Sequence, residues 1–258
     1  MAKPGKPGGP VPGMLSGPLA SSVTAVLPGL LSDPLADQLP DQLPDQLSGL
    51  PSGAPRGWLV SRWWWRLAAA FAAASCLAWW LPAPLLDWQP ARAAAEPWRA
   101  FSAAFVHWSA LHLGANLLGV AVVAALGLAA RLPTAATIAW LLAWPLTQAG
   151  LAMQPALLHY GGLSGVLHAG VAVAALWLLL RDSGRRRAVG GAVLAGLVLK
   201  VLLEQPWGAP LRTGGGWDIA TAPLAHATGL VAGLLCASAA LATSPAQRAD
   251  VPVLPPPR

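Results

Sequence analysis

Four polar residues stand out in this largely apolar chain: Ser164, His226, His112 and Asn116. A serine hydroxyl is a weak nucleophile until a base within hydrogen-bond reach takes its proton. Acyl transfer also needs donors for the oxygen that turns negative as the carbonyl is attacked. Ser164 lies in GGLSGVLHAG and His226 in AHATGLVAG. His112 and Asn116 stand at i and i+4, so a helix presents them on one face. A serine, a histidine and two further donors would make a nucleophile, a base and an oxyanion site. Each also has a plainer reading. Serine in a membrane helix usually packs or bonds back to a carbonyl, a histidine bridges helices, and a His/Asn pair is interhelical glue.

The surroundings decide where such chemistry would sit. Of 258 residues, 55% are hydrophobic and 10% charged, against roughly 25% charged in a soluble domain. Fourteen tryptophans accompany a single tyrosine, and tryptophan concentrates at membrane interfaces. The composition predicts a polytopic, all-α membrane protein with the lipid bilayer as its first partner. The formal charge of +6 is not organised for nucleic acid: no basic stripe interleaves with stacking aromatics. Cys76 and Cys236 fall in separate apolar runs without a CxxC or CxxH partner, so both read as packing residues. Neither a metal nor a cofactor is expected.

Residues 1–56 are rich in Pro, Gly and Leu and contain DQLPDQLPDQL, which predicts a disordered tail. Gly17, Pro18 and Pro28 interrupt its one signal-like run, which excludes a signal peptide. Residues 243–258, ending in VLPPPR, form a second disordered tail. The domain between, residues 57–242, holds six candidate spans: Leu67–Leu86, Ala110–Leu128, Ala135–Met153, Leu163–Leu180, Ala188–Leu203 and Pro223–Leu241. Each approaches the roughly 20 residues that cross a bilayer. With the N-terminus inside, 12 basic residues fall on the cytoplasmic side and 4 outside (Arg92, Arg99, Lys200, Arg212). The bias predicts an inner-membrane protein with both termini cytoplasmic. It also brings Ser164, His226, His112 and Asn116 to one level, a few residues below the outer surface.

Glycines serve that level. Gly229 and Gly233 make a small-xxx-small face after His226 that permits close helix approach. Gly161, Gly162 and Gly165 loosen the backbone where a loop becomes a helix. Ser164 at a helix start would have unpaired amides beside it. A site near the surface also admits the water that deacylation requires.

Three pieces, WRAFSAAFVHWSALHLGANLLG from Trp98, GLSG from Gly162 and AHATGLVAG from Ala225, resemble the rhomboid family of intramembrane serine proteases in order and position. The resemblance covers roughly residues 60–242. It implies a six-helix rhomboid-like bundle with Ser164 as nucleophile and His226 as general base, a dyad without a carboxylate. It further implies an oxyanion hole from His112, Asn116 and the Ser164 amide, with His107 as structural support. Its substrates would be transmembrane or C-terminally anchored proteins. Two features depart from many rhomboids. His168 replaces an aromatic such as tyrosine four residues after the serine, where it could stack on or hydrogen-bond His226. Lys200 and Glu204, at i and i+4, read most simply as an ion pair at a membrane edge. Together they resemble the rhombosortase branch, associated with exported proteins whose C-terminal sorting signal joins Gly-Gly, an apolar span and a basic tail. Alternatives are a general rhomboid with other substrates, or a rhomboid-like binder that does not cleave. A transporter would show internal repeats, and the chain has none.

Overall fold

The computed structural model describes residues 62–244. The N-terminal tail, and the C-terminal tail beyond Ser244, lie outside the described residues. Regular structure among the described residues is helical: α1 Arg62–Ala78, α2 Ala83–Leu86, α3 Arg99–Ser102, α4 Ala110–Ala130, α5 Thr134–Ala149, α6 Ser164–Arg181, α7 Gly184–Leu203 and α8 Pro223–Thr243. Two isolated bridges, Trp88 with Tyr160 and Arg212 with Thr221, tie loop segments together.

Among the described residues, four stretches are long and apolar enough to cross a membrane: Ala110–Ala130, Thr134–Met153, Ser164–Arg181 and Pro223–Thr243. Their outward faces expose Leu118, Val122, Leu142, Leu146, Val231 and Leu235, a surface that hydrocarbon rather than water must cover. The chain is a multi-pass membrane protein. The other two expected spans also form helices, though of a different kind. α1 shows 17 residues within the described part of the chain, and α7 opens with Arg185, Arg186 and Arg187. The first span was expected at Leu67–Leu86, but α1 is already helical at Arg62, the first described residue, and stops at Ala78. Pro82 explains the stop, because it has no amide to continue a helix and pushes Leu81 toward extended backbone.

α6 runs through the middle of the bundle, with Ala169, Ala172, Val173, Ala174 and Ala175 buried. α8 lies directly on it. A Cβ on Gly229 would sit 2.0 Å from the Gly165 carbonyl oxygen, and one on Gly233 2.5 Å from that of Ala169. Only glycine permits this backbone approach, as the small-xxx-small face requires. Hydrogen bonds fix the remaining neighbours. Trp140 Nε1 donates to the Val166 carbonyl (2.8 Å), and Thr228 Oγ1 to the Thr147 carbonyl (2.9 Å). Trp64 Nε1 donates to the Val123 carbonyl (2.9 Å).

These contacts correct the reading of tryptophan as an interfacial residue. Trp64 and Trp140 are fully buried, with ring centroids 4.5 Å apart. Their bulk fills the centre of the bundle, and an indole N–H there must find a carbonyl. Trp63, Trp80 and Trp207 are exposed, as interfacial residues would be.

Candidate active site

The first turns of α4, α6 and α8 meet at one end of the bundle, together with the C-terminal end of α7. Ser164 is the first residue of α6 and His226 lies in the first turn of α8. The close packing of these helices sets His226 Nε2 2.9 Å from Ser164 Oγ. Both residues are partly buried, so the pair is sheltered without being sealed.

Behind His226 stands a carboxylate. Glu204 Oε2 is 2.7 Å from His226 Nδ1, and Glu204 Oε1 is 2.9 Å from Lys200 Nζ. The expectation of a dyad without a carboxylate therefore does not describe this geometry. The Lys200/Glu204 pair faces the histidine. Burial alone would raise the Glu204 carboxyl, but hydrogen bonds and charge from His226 and Lys200 outweigh it and hold the group at about 2. Glu204 is therefore an anion at neutral pH.

Of the two contacts with His226 expected of it, His168 makes the stacking one, and its hydrogen bonds go elsewhere. Its ring stacks on His226 with centroids 4.1 Å apart and planes 13° from parallel. Its Nδ1 is 2.7 Å from the Ser164 carbonyl oxygen, and its Nε2 is 2.6 Å from Lys200 Nζ. The ammonium can only donate, so His168 Nε2 accepts and Nδ1 carries the proton. His168 thus makes no contact that would let it deprotonate Ser164, and it supports the pair from the side.

His112 and Asn116 are both buried. Ser109 caps α4 by accepting the His112 amide (3.1 Å) and donates its own hydroxyl proton to Asp218 Oδ1 (2.7 Å). That second bond ties the start of α4 to the loop before α8. Gly162, two residues before Ser164, has φ +143, and a Cβ there would meet His112 Nε2 at 2.9 Å. Glycine is needed both for the turn and for the imidazole beside it. Asn116 Nδ2 donates to the His112 carbonyl (3.0 Å), which uses one of its two N–H hydrogens and leaves the other. His107 lies against His112 with ring centroids 4.9 Å apart and bonds the Phe105 carbonyl through Nδ1 (3.0 Å). Burial, opposed by that backbone bond, pulls His107 down to about 4. It is neutral at physiological pH.

One further residue belongs to this end. Tyr160 donates its hydroxyl to the Gly162 carbonyl (3.3 Å) and is buried at the foot of the serine turn. Burial pushes its phenol up to about 12, against the opposing effect of hydrogen bonding to the Ser164 side chain and Gly165 backbone. The group therefore remains a proton donor. The signal for it was in the sequence: it is the single tyrosine of the chain, four residues before Ser164.

No curated protein matches the chain. Residues 94–243, more than half of the sequence, match the Rhomboid domain family. Those residues take in α4, α5, α6, α7 and α8, and with them every residue of the end just described. The chain belongs to the rhomboid family, whose proteases are serine enzymes that act on membrane proteins within the bilayer.

Proposed function

We propose that the chain is an intramembrane serine endopeptidase in which Ser164 is the nucleophile and His226 the general base. The observation that carries this reading is the 2.9 Å contact between Ser164 Oγ and His226 Nε2 in a chain of this family. In the first step Oγ bonds to the scissile carbonyl carbon, its proton passes to Nε2, and the carbonyl π pair moves onto oxygen. His112, Asn116 and the Ser164 amide donate to that oxyanion. The tetrahedral intermediate then expels the amine, which takes the proton from Nε2 as the C–N bond breaks. Water repeats the sequence on the acyl-enzyme, with His226 again as base, and releases the acid product.

The test uses the purified full chain and a fluorophosphonate probe. Wild type is expected to be labelled, and Ser164→Ala and His226→Ala not. Labelling of Ser164→Ala would reject the nucleophile and leave a rhomboid-like binder as the reading.

Six crossings with both termini cytoplasmic accompany this reading, supported by the 12-to-4 basic bias. A reporter fused after residue 242 is expected to read cytoplasmic, and one near Gly214 external. An external C-terminus would invert the level at which Ser164 meets water.

The substrates proposed are exported proteins with a C-terminal Gly-Gly, apolar span and basic tail. This rests on the resemblance of His168, Lys200 and Glu204 to the rhombosortase branch. Such a span would enter laterally with its basic end cytoplasmic, bringing its glycines to the level of Ser164. Glycine weakens a helix by about 1 kcal/mol relative to alanine, so the segment unwinds readily. A co-expressed reporter carrying this tail should be released, dependent on Ser164, and one with Leu-Leu in place of Gly-Gly should not. Equal cleavage of both would return the chain to general rhomboid substrates.

A further inference from the structure

We infer that Glu204 is a positioning residue for His226, completing a Ser–His–Glu relay in which Lys200 and His168 hold the carboxylate in place. The inference rests on Ser164 and His226 being the nucleophile and base. Its basis is a closed ring of contacts. Ser164 Oγ meets His226 Nε2 at 2.9 Å, and His226 Nδ1 meets Glu204 Oε2 at 2.7 Å. Glu204 Oε1 meets Lys200 Nζ at 2.9 Å, and Lys200 Nζ meets His168 Nε2 at 2.6 Å. His168 Nδ1 closes the ring on the Ser164 carbonyl at 2.7 Å.

Proton bookkeeping makes the carboxylate matter. For Nε2 to take the serine proton it must be bare, so the neutral ring must carry its hydrogen on Nδ1. An ionised carboxylate at Nδ1 can only accept and selects that tautomer. Lys200 Nζ also lies 3.1 Å from Nδ1 and can only donate. Acting alone it would favour a bare Nδ1 and a protonated Nε2, the form unable to accept the serine proton. Glu204, an acceptor, and Lys200, a donor, therefore make opposite demands on Nδ1, and the carboxylate is the nearer of the two. When the proton arrives on Nε2, the ring becomes an imidazolium with an anion at its back.

Helix stability does not account for Glu204. A lysine followed four residues later by a glutamate is the weaker order for a helical ion pair. A carboxylate at the C-terminal end of a helix also opposes the helix dipole, and Glu204 is the C-cap of α7. The position is unfavourable locally and favourable only toward His226. Exposure grades the same way, with the side chains of His226, Glu204 and Lys200 12%, 30% and 43% exposed. The carboxylate bridges a sheltered imidazole and an ammonium near solvent.

The experiment uses the full chain in proteoliposomes and a fluorophosphonate, whose phosphorus bonds Ser164 Oγ as fluoride leaves and the hydroxyl proton passes to His226. Glu204→Gln keeps the shape but removes the charge and offers an amide N–H toward Nδ1. Its limiting labelling rate is expected to fall about 10²–10⁴-fold with the probe's half-saturation concentration little changed. Formate should restore part of the rate to Glu204→Ala, and none to Ser164→Ala. In wild-type protein, the ¹⁵N spectrum of His226, taken where the ring is neutral, should show hydrogen on Nδ1. That last measurement needs no variant to fold, and hydrogen on Nε2 would overturn the inference. An unchanged limiting rate in Glu204→Gln beside an unlabelled Ser164→Ala would remove the role of Glu204 alone. Labelling of Ser164→Ala would remove the underlying reading itself.

Discussion

Two clusters in this molecule combine a carboxylate, a cation and an imidazole, and they use them in opposite ways. In the segment between α1 and α4, Asp87 is fully buried. Arg99 Nη1 donates to Asp87 Oδ1 at 3.1 Å and to the Asp87 carbonyl at 2.7 Å, while His159 Nδ1 meets Asp87 Oδ2 at 2.6 Å. There the carboxylate is inside and the imidazole outside, its side chain 56% exposed. At the serine end the order reverses: His226 is sheltered and Glu204 partly exposed. Arginine suits the first cluster because its fork satisfies a carboxylate and backbone carbonyls together and keeps its charge. Lysine suits the second, where a single rotatable ammonium can bridge Glu204 and His168. The same ingredients make a clamp when the acid is buried, and a relay when the base is buried against a hydroxyl.

The sharpest way to break the comparison is to remove the relay's reacting atoms. Ser164→Ala and His226→Ala should each reduce cleavage of a transmembrane reporter by on the order of 10⁶. Helix content and insertion should stay unchanged, since neither side chain fills the core. Circular dichroism alongside the cleavage assay checks both halves. Near-wild-type turnover by either variant would mean that the relay is only a second clamp.

Next comes the clamp itself. Arg99→Met leaves Asp87 buried with less compensation, and breaking a buried pair from one side costs about 3–5 kcal/mol. Reversible unfolding in mixed micelles should show a loss of that size, whereas Glu204→Gln should change stability by no more than about 1 kcal/mol, as befits a partly exposed pair. Equal losses in the two would erase the distinction between the clusters.

The difference between the clusters also governs what the sequence disclosed. Ser164, His226, His112 and Asn116 were legible as candidates because the first three fall in first turns at the ends of apolar runs, and Asn116 follows His112 by one turn on the same face. The approach of α6 and α8 was legible in the spacing of Gly229 and Gly233. What depends on side-chain direction was not. Lys200 and Glu204 at i and i+4 satisfy a helix-surface pattern whether or not a third residue lies beyond them, so the bond to His226 was invisible. Asp87 and Arg99 are separated by an irregular segment and His159 lies beyond α4 and α5, so no single period relates the three. Trp64 and Trp140 carry no mark separating a core indole from an interfacial one. α1 was misplaced because an alanine-rich run continues toward Pro82 without a break in hydrophobicity.

Asn116→Ala tests the proposed oxyanion donors. Loss of one oxyanion donor typically slows turnover by about 10²–10³, and its bond to the His112 carbonyl lies within α4, so the fold should hold. His112→Ala should act in the same direction with added harm, because its ring fills the space beside Gly162. Unchanged turnover numbers in both would reduce the pair to interhelical contacts.

The smallest effect is expected at the histidine of the clamp. His159→Gln removes an imidazole from Asp87, just as His226→Ala removes one from Glu204, yet the settings differ. Asp87 Oδ1 keeps Arg99 and also accepts from Gln89 Nε2 at 2.8 Å, so the carboxylate remains paired. The lost partner is mostly solvent-exposed, and exposed pairs are worth about 0–1 kcal/mol. Cleavage by His159→Gln should equal wild type, and its unfolding free energy should fall by less than about 1 kcal/mol. A drop matching that of Arg99→Met would show that the exposed imidazole is integral to the clamp, and burial would no longer separate the two clusters. A drop in cleavage without a drop in stability would instead connect the clamp to the serine end, through the bridge between Trp88 and Tyr160.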